Sequence, residues 1–342
     1  VMPHVAGGMR GEFNQRFGQP SKDLPSVIPQ FLPSTALPST DPVTETTGGL
    51  LERMDARRSP VKVFFTNTGA EYWRGDASLI HTDPSGTQEI PEHPSTRAYS
   101  FASAMHGPGS WPPTDTLATE GLRGQHLMNT VDYRPLLRAL LAALDDWVSE
   151  DREPPESSHP RLSDGTAVPP HSLESAFRGI PGLTFPPHIP IPRRLDFGLA
   201  ADVEQATKLP PEAGEQVGSL VSDVDEDGNE TGGIRHPDVR EPLGTHMPWN
   251  LRHPEIGVPE QLTGLTGGLR GSTVPLPATR AERERRGDPR RSIEERYASR
   301  DEYLSRVREA ANAMVNERTM LQEDVERVVS AAAERWDAFA GS

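Results

Sequence analysis

Hydrophobic positions along this chain fall into a few dense runs separated by long polar stretches, and the spacing within each run predicts the element it forms. The run Pro60-Val61-Lys62-Val63-Phe64-Phe65-Thr66-Asn67 is β-branched and aromatic, opens at a proline and stops just before Gly69, which predicts a buried strand. Arg97 to Ala102 (RAYSFA) predicts a second strand, followed by small residues and the turn sequence His106-Gly107-Pro108-Gly109. Between Asp132 and Val148 the apolar residues Leu136, Leu137, Leu140, Leu141, Leu144 and Val148 recur at helical spacing, with Pro135 tolerated in the first turn. Further on, Ser299 followed by Glu302 has the form of a capping box, and Tyr303, Leu304, Val307, Ala311, Met314 and Val315 share one apolar face. Leu321, Val325, Val328, Val329, Ala332 and Trp336 repeat that pattern, so a helical pair is expected at the C-terminus.

The stretches between these runs carry a different signal. Val1 to Gly8 reads like a strand entered in mid-protein, and residues 9–58 are polar with recurring Pro-Ser pairs, which predicts a long loop or lid. Residues 151–275 are crowded with prolines (Pro154-Pro155, Pro169-Pro170, Pro186-Pro187, Pro190, Pro192), which predicts an irregular layer packed on something larger. Strands separated by helices and long loops argue for an α/β fold. The expected organisation is a core in 1–150 with the lid-like 9–58, an irregular layer in 151–275 and a helical segment in 276–342.

Composition narrows the partners. The chain has 342 residues, with 35 prolines and 30 glycines, in keeping with long connections. Its 50 acidic side chains outnumber 35 basic ones, and a net charge of −15 disfavours nucleic acid and anionic lipid. The absence of cysteine excludes disulfides, thiolate metal sites and a cysteine nucleophile, and leaves the compartment open. No apolar run approaches the ~18 residues that a membrane span requires, since Arg138 interrupts the longest one, so a soluble chain is expected.

The chemistry suggested by these positions is an acid after one strand and a histidine after the next. In open α/β sheets, functional groups sit on loops beyond the carboxyl ends of strands, where a rigid edge holds them in register. Glu71 and, one turn further, Asp76 follow the first strand, and His106 follows the second, between glycines that permit a tight loop. That order matches the last two members of a Ser…Asp/Glu…His triad, in which the carboxylate fixes the imidazole that takes the serine proton. Glu71 stands nearer the strand end, and Asp76 is a serious rival. Both acids could equally cap turns or pair with Arg74, and His106 could be a loop histidine without a role.

Several segments resemble a known family: Pro3-His4-Val5-Ala6-Gly7, Arg10-Gly11-Glu12-Phe13-Asn14, the block from Ala70 to Asp83 (AEYWRGDASLIHTD), Gln125 through Leu144, and Arg290 to Tyr297 (RRSIEERY). They are similar to the bacterial alpha/beta hydrolase domain family of large esterase-like proteins, and the resemblance spans nearly the whole chain. It implies an α/β-hydrolase fold, hydrolysis of a carboxylic ester or similar acyl bond, and His106 with Glu71 or Asp76 as triad members. Tyr72 and Trp73 are candidates to shape the acyl or alcohol pocket and so bind substrate, and His81, on the same loop as Glu71, is a third candidate for which a solvated loop position is the more ordinary reading. In that family the nucleophilic serine and the oxyanion hole precede the segment corresponding to Val1. No G-x-S-x-G occurs here, for Gly109-Ser110, Gly218-Ser219 and Gly271-Ser272 all lack the flanking pattern. The chain is therefore read as the C-terminal part of such a hydrolase sheet, inactive alone, and expected to be marginal in stability or to pair with its missing half. The alternative is a non-catalytic binding or subunit protein that retains a partial hydrolase scaffold.

Other signals are weaker. Asp223 to Glu230 (DVDEDGNE) opens like a calcium loop, but Ile234 stands at the twelfth position, and an acidic β-turn is the better reading. The eleven histidines show no H-x-H or H-E-x-x-H spacing, so no metal and no cofactor are expected. The arginines between Arg280 and Arg291 are interleaved with acids, which reads as a salt-bridged, solvated helix face. The proline-rich 151–192 region packs around the core in this reading rather than serving as a polyproline ligand.

Overall fold

A computed structural model describes residues 1–8, 33–59, 61–196, 198, 207–208, 212–264 and 270–341. Much of the lid-like loop expected over 9–58, together with the Arg10 to Asn14 segment, lies outside the described residues.

The two dense runs form strands β1 (Val63–Thr68) and β2 (Thr96–Phe101), paired in parallel with Val63 opposite Thr96 and Thr68 opposite Phe101. Both are shifted by a residue or more from the expected bounds. Residues 1–5 lie parallel along the outer side of β1: Phe64 N–H donates to Val1 O (3.0 Å), Thr66 N–H to Pro3 O (3.1 Å) and Val5 N–H to Thr66 O (2.7 Å). On the far side of β2, Tyr99 and Phe101 make parallel bridges to Ser158 and Ile234. Five separate stretches of the chain thus meet in the parallel ribbon.

Side chains alternate across this ribbon. Phe64, Tyr99 and Phe101 point into the largest core cluster, while Val63, Phe65 and Ala98 face a small second one with Ala36 and Leu51. The first face is covered by helix α2 (Arg134–Ser149), following the short α1 (Gly69–Trp73) described below. Its buried stripe is Leu136, Ala139, Leu140, Ala143, Leu144 and Trp147, whereas Leu141 and Val148, expected on that face, are 58% and 62% exposed. The stripe is only about a third of the helix circumference wide, and the i, i+3, i+4, i+7 rows select the two alanines and Trp147 instead.

Strands β3 (Leu127–Met128), β4 (Gly244–Met247) and β5 (Ser272–Pro275) form an antiparallel sheet in the order β4-β5-β3. Helix α3 (Arg280–Arg286) carries the pairs Arg280–Glu284 (2.8 Å) and Arg286–Glu282 (2.7 Å) on its exposed side. Arg290 departs from the solvated reading: it is 2% exposed and donates to Asp288, Thr245 and two carbonyls of β5. The closing pair, α4 (Arg300–Asn316) and α5 (Val325–Phe339), packs Tyr303, Val307, Ala311 and Met314 with Val325, Val328, Val329 and Ala332 in the largest core. Half of the expected capping box forms. The Ser299 hydroxyl accepts from Glu302 N–H (3.2 Å), but the Glu302 carboxylate takes the N–H of Ala298 rather than that of the cap.

The irregular layer has its own core of Leu173, Phe177, Ile180, Leu183 and Phe185 around Trp73 and Trp249. At Asp225 to Gly228 the chain makes a turn, with Gly228 N–H donating to Asp225 O (2.9 Å), and the Asp225 side chain is engaged by Arg235. Among the described residues no helix is long and apolar enough to cross a membrane.

Candidate active site

The site begins where β1 ends. Thr68 is the N-cap of α1, accepting from Ala70 N–H and completing a capping box with Glu71. This places Glu71 on a short helix rather than on the loop expected from sequence, and turns its carboxylate back over the strand end. Glu71 Oε2 accepts from Thr68 N–H (2.8 Å) and from the Thr68 hydroxyl (2.7 Å), leaving Oε1 free to point elsewhere.

That oxygen lies 2.6 Å from His106 Nδ1. The carboxylate is wholly buried, and the imidazole side chain is 32% exposed. Burial pushes the Glu71 carboxyl up, but the His106 hydrogen bond, the Arg74 charge and Thr68 outweigh it and hold the group below its ordinary range. An ionised Glu71 accepts, so Nδ1–H of His106 donates, and Nε2 is the nitrogen left for other partners. Among the described residues nothing is hydrogen-bonded to that Nε2.

The His106 loop is fastened on several sides. Tyr133 donates its hydroxyl to His106 O (2.7 Å), Asn129 Nδ2 donates to Ser103 O (2.7 Å), and Gly109 N–H donates to Val131 O (2.9 Å). A side chain at Gly109 would meet the Thr130 carbonyl carbon at 2.3 Å, so the glycine is required by close approach rather than by its dihedrals. Ser103 turns the chain out of β2 with φ +59°, a left-handed conformation unusual for serine. His4, on the added strand, lies 3.2 Å from the Tyr133 hydroxyl; burial lowers its basicity, Glu71 opposes that and His106 reinforces it.

The remaining sequence candidates occupy other places. Asp76 pairs with Arg74 (2.7 Å) and accepts from Gly8 N–H (3.1 Å), all buried, so the structure brings Glu71 rather than Asp76 to His106. Tyr72 and Trp73 are each 2% exposed and packed in the layer's core. His81 Nε2 is hydrogen-bonded with the Tyr72 hydroxyl (3.0 Å), and His81 stacks on His159 (ring centroids 4.0 Å apart) and lines a cavity of about 300 Å³ with Phe65, Ala98, His159 and Arg161.

One close neighbour carried no local signal in the sequence. Glu230 is buried beside Gly69 and Ser103, and burial pushes its carboxyl up to about 7; the Ser103 N–H and Trp73 oppose this, and the Glu71 charge adds to it. It sits in the acidic turn segment, and only the fold brings it here.

An acid and a histidine at the ends of neighbouring parallel strands are the arrangement that the alpha/beta hydrolase domain family leads one to expect, and the sequence model of that family matches residues 1–330. The chain belongs to the alpha/beta hydrolase domain family. The hydrolase match runs from the added strand through the start of α5, and so takes in every residue named at the site. No curated protein and no solved structure matches this chain.

Proposed function

We propose that the protein hydrolyses a carboxylic ester by serine-type acyl transfer, with His106 as general base and then general acid, and Glu71 as the carboxylate that orients it. The single observation behind this reading is the 2.6 Å contact from a buried, doubly anchored carboxylate to Nδ1 of a partly exposed imidazole. Glu71 fixes the tautomer with the proton on Nδ1 and stabilises the imidazolium that forms later. The serine oxygen then attacks the ester carbonyl carbon while its proton passes to Nε2. Collapse of the tetrahedral intermediate expels the alcohol, which takes that proton and leaves an acyl-enzyme. Water repeats the sequence, releasing the carboxylic acid and regenerating the serine.

The nucleophile in this reading comes from polypeptide other than residues 1–342. There is no G-x-S-x-G, and Ser103, the serine nearest His106 in sequence before it, is buried with its hydroxyl accepting from Glu230 N–H (2.8 Å). His81 reaches a cavity wall and is a candidate substrate contact, whereas Tyr72 and Trp73 would support α1 from within. A fluorophosphonate probe tests the assignment. The chain alone should stay unlabelled, and the same chain joined to an upstream elbow segment should label in a manner abolished by His106→Ala. Labelling of a serine within residues 1–342 would overturn the placement of the nucleophile.

A further inference from the structure

Glu230 is a buried ionisable group at this site for which the acyl-transfer steps have no use. Its main chain and side chain both bind one residue. Glu230 N–H donates to the Ser103 hydroxyl (2.8 Å), and Ser103 N–H donates back to Glu230 Oε2 (2.6 Å). Two bonds in opposite directions fix the orientation of Ser103 as well as its position. Ser103 begins the turn that leads to His106, in a backbone conformation that serine seldom adopts without outside support.

The same carboxyl touches the other half of the pair. A methyl group on Gly69 would come within 2.6 and 2.7 Å of the two Glu230 oxygens, so the carboxyl rests on the first residue of the helix that carries Glu71. Packing alone does not call for an acid here: among the described residues no donor reaches Oε1 in hydrogen-bond geometry and no cation pairs with the carboxyl, and the charge that acts on it is the like charge of Glu71. A carboxyl retained at such a place serves through what it holds.

We propose that Glu230 is a positioning residue of the His106–Glu71 pair, bridging Ser103 to Gly69 so that the histidine loop and the acid helix keep the register that brings Nδ1 to Oε1. The inference rests on the reading of His106 and Glu71 as a functional pair, and one experiment separates the two. The full chain is examined by proton NMR for the strongly low-field signal of an imidazole N–H bonded to a carboxylate, assigned by its loss in His106→Gln. If Glu71→Gln leaves that signal unchanged, or the wild type lacks it, the pair itself is wrong and the inference falls with it.

With the signal established, Glu230→Gln, whose amide oxygen can still accept from Ser103 N–H, should retain it. Glu230→Leu and the smaller Glu230→Ala, both of which remove the acceptor of Ser103 N–H and are checked for a native near-ultraviolet spectrum, should lose it or shift it markedly towards high field. An unchanged signal in folded Glu230→Ala overturns the inference while leaving the pair intact, as does an unchanged signal in folded Glu230→Leu. Because Glu230→Ala removes the carboxyl without placing a branched side chain against Gly69, it decides the matter even if Glu230→Leu does not fold.

Discussion

At the scale of single residues, the two acids that sequence leaves in competition are separated by what each carboxylate touches. Glu71 spends one oxygen on Thr68 and the other on His106, whereas Asp76 spends both on Arg74 and Gly8. Under the proposed acyl-transfer mechanism, Glu71→Gln should lower kcat by on the order of 10⁴-fold, the loss expected when an imidazole is held in the wrong tautomer. Asp76→Asn should instead act on stability. Removing one partner of a buried ion pair leaves Arg74 uncompensated, at about 3–5 kcal/mol in denaturant unfolding. Equal losses of kcat in the two variants, at equal stability, would return Asp76 to contention.

Glu230 makes a prediction about pH at the same scale. Its carboxyl is pushed up to about 7 in the fold from an ordinary value of 4.5, so folding favours the protonated form. The stability this contributes is fully present below about 4.5 and is lost as pH rises through 7. The shift corresponds to on the order of 3 kcal/mol between the two limits. Glu230→Gln, which has no proton to lose, should therefore gain on the wild type between pH 5 and pH 8 by an amount of that order in chemical denaturation. Parallel stability curves for the two proteins across that range would refute the shift.

At the scale of elements, α2 is the support on which the site depends. It buries Leu136, Leu140, Leu144 and Trp147 against the ribbon, and the residue preceding it, Tyr133, donates to the carbonyl of His106. Leu140 is wholly buried in the largest cluster, so Leu140→Ala should cost about 2–5 kcal/mol from lost transfer energy and the cavity left behind. The same change at Leu141, which is 58% exposed, should fall within about 0.5 kcal/mol of wild type, and the contrast is read from paired unfolding curves. Sequence periodicity located this helix well but could not distinguish these two leucines, because neighbouring positions lie 100° apart and the facing sheet decides which is covered.

At the scale of the whole molecule, the largest core joins residues from the first strand to the last helix. Phe64 and Tyr99 share it with Ile234, Leu243, Leu276, Tyr303 and Val328, so the closing helices belong to the body that holds the site. Removing residues 300–342 would uncover the apolar face formed by α2 and the ribbon. Such a chain should bind a hydrophobic dye and lose its cooperative thermal transition, and a sharp transition in the truncated chain would contradict this account. The ion pair of Arg138 on α2 with Asp324 at the head of α5 is one of the ties that truncation would cut.

What the amino-acid order determined by itself was local. Runs of β-branched and aromatic residues specify β1 and β2, the leucine spacing specifies α2, and two apolar stripes specify the final helical pair, because each depends on neighbours within a few residues. The order of acid and histidine, together with the block from Ala70 to Asp83, also pointed to the family and to His106, Glu71 and Asp76. Tertiary structure brings Glu71 and not Asp76 to His106, because a capping box at Thr68 turns Glu71 over the strand end while Arg74 holds Asp76. It also decided that Tyr72 and Trp73 are buried, and that Arg290, in a run of surface arginines, is enclosed by β5. Glu230 shows the limit most clearly. It stands 127 residues from Ser103 in an acidic turn segment, and no local pattern records that folding will place its carboxyl on the loop of His106 and the helix of Glu71.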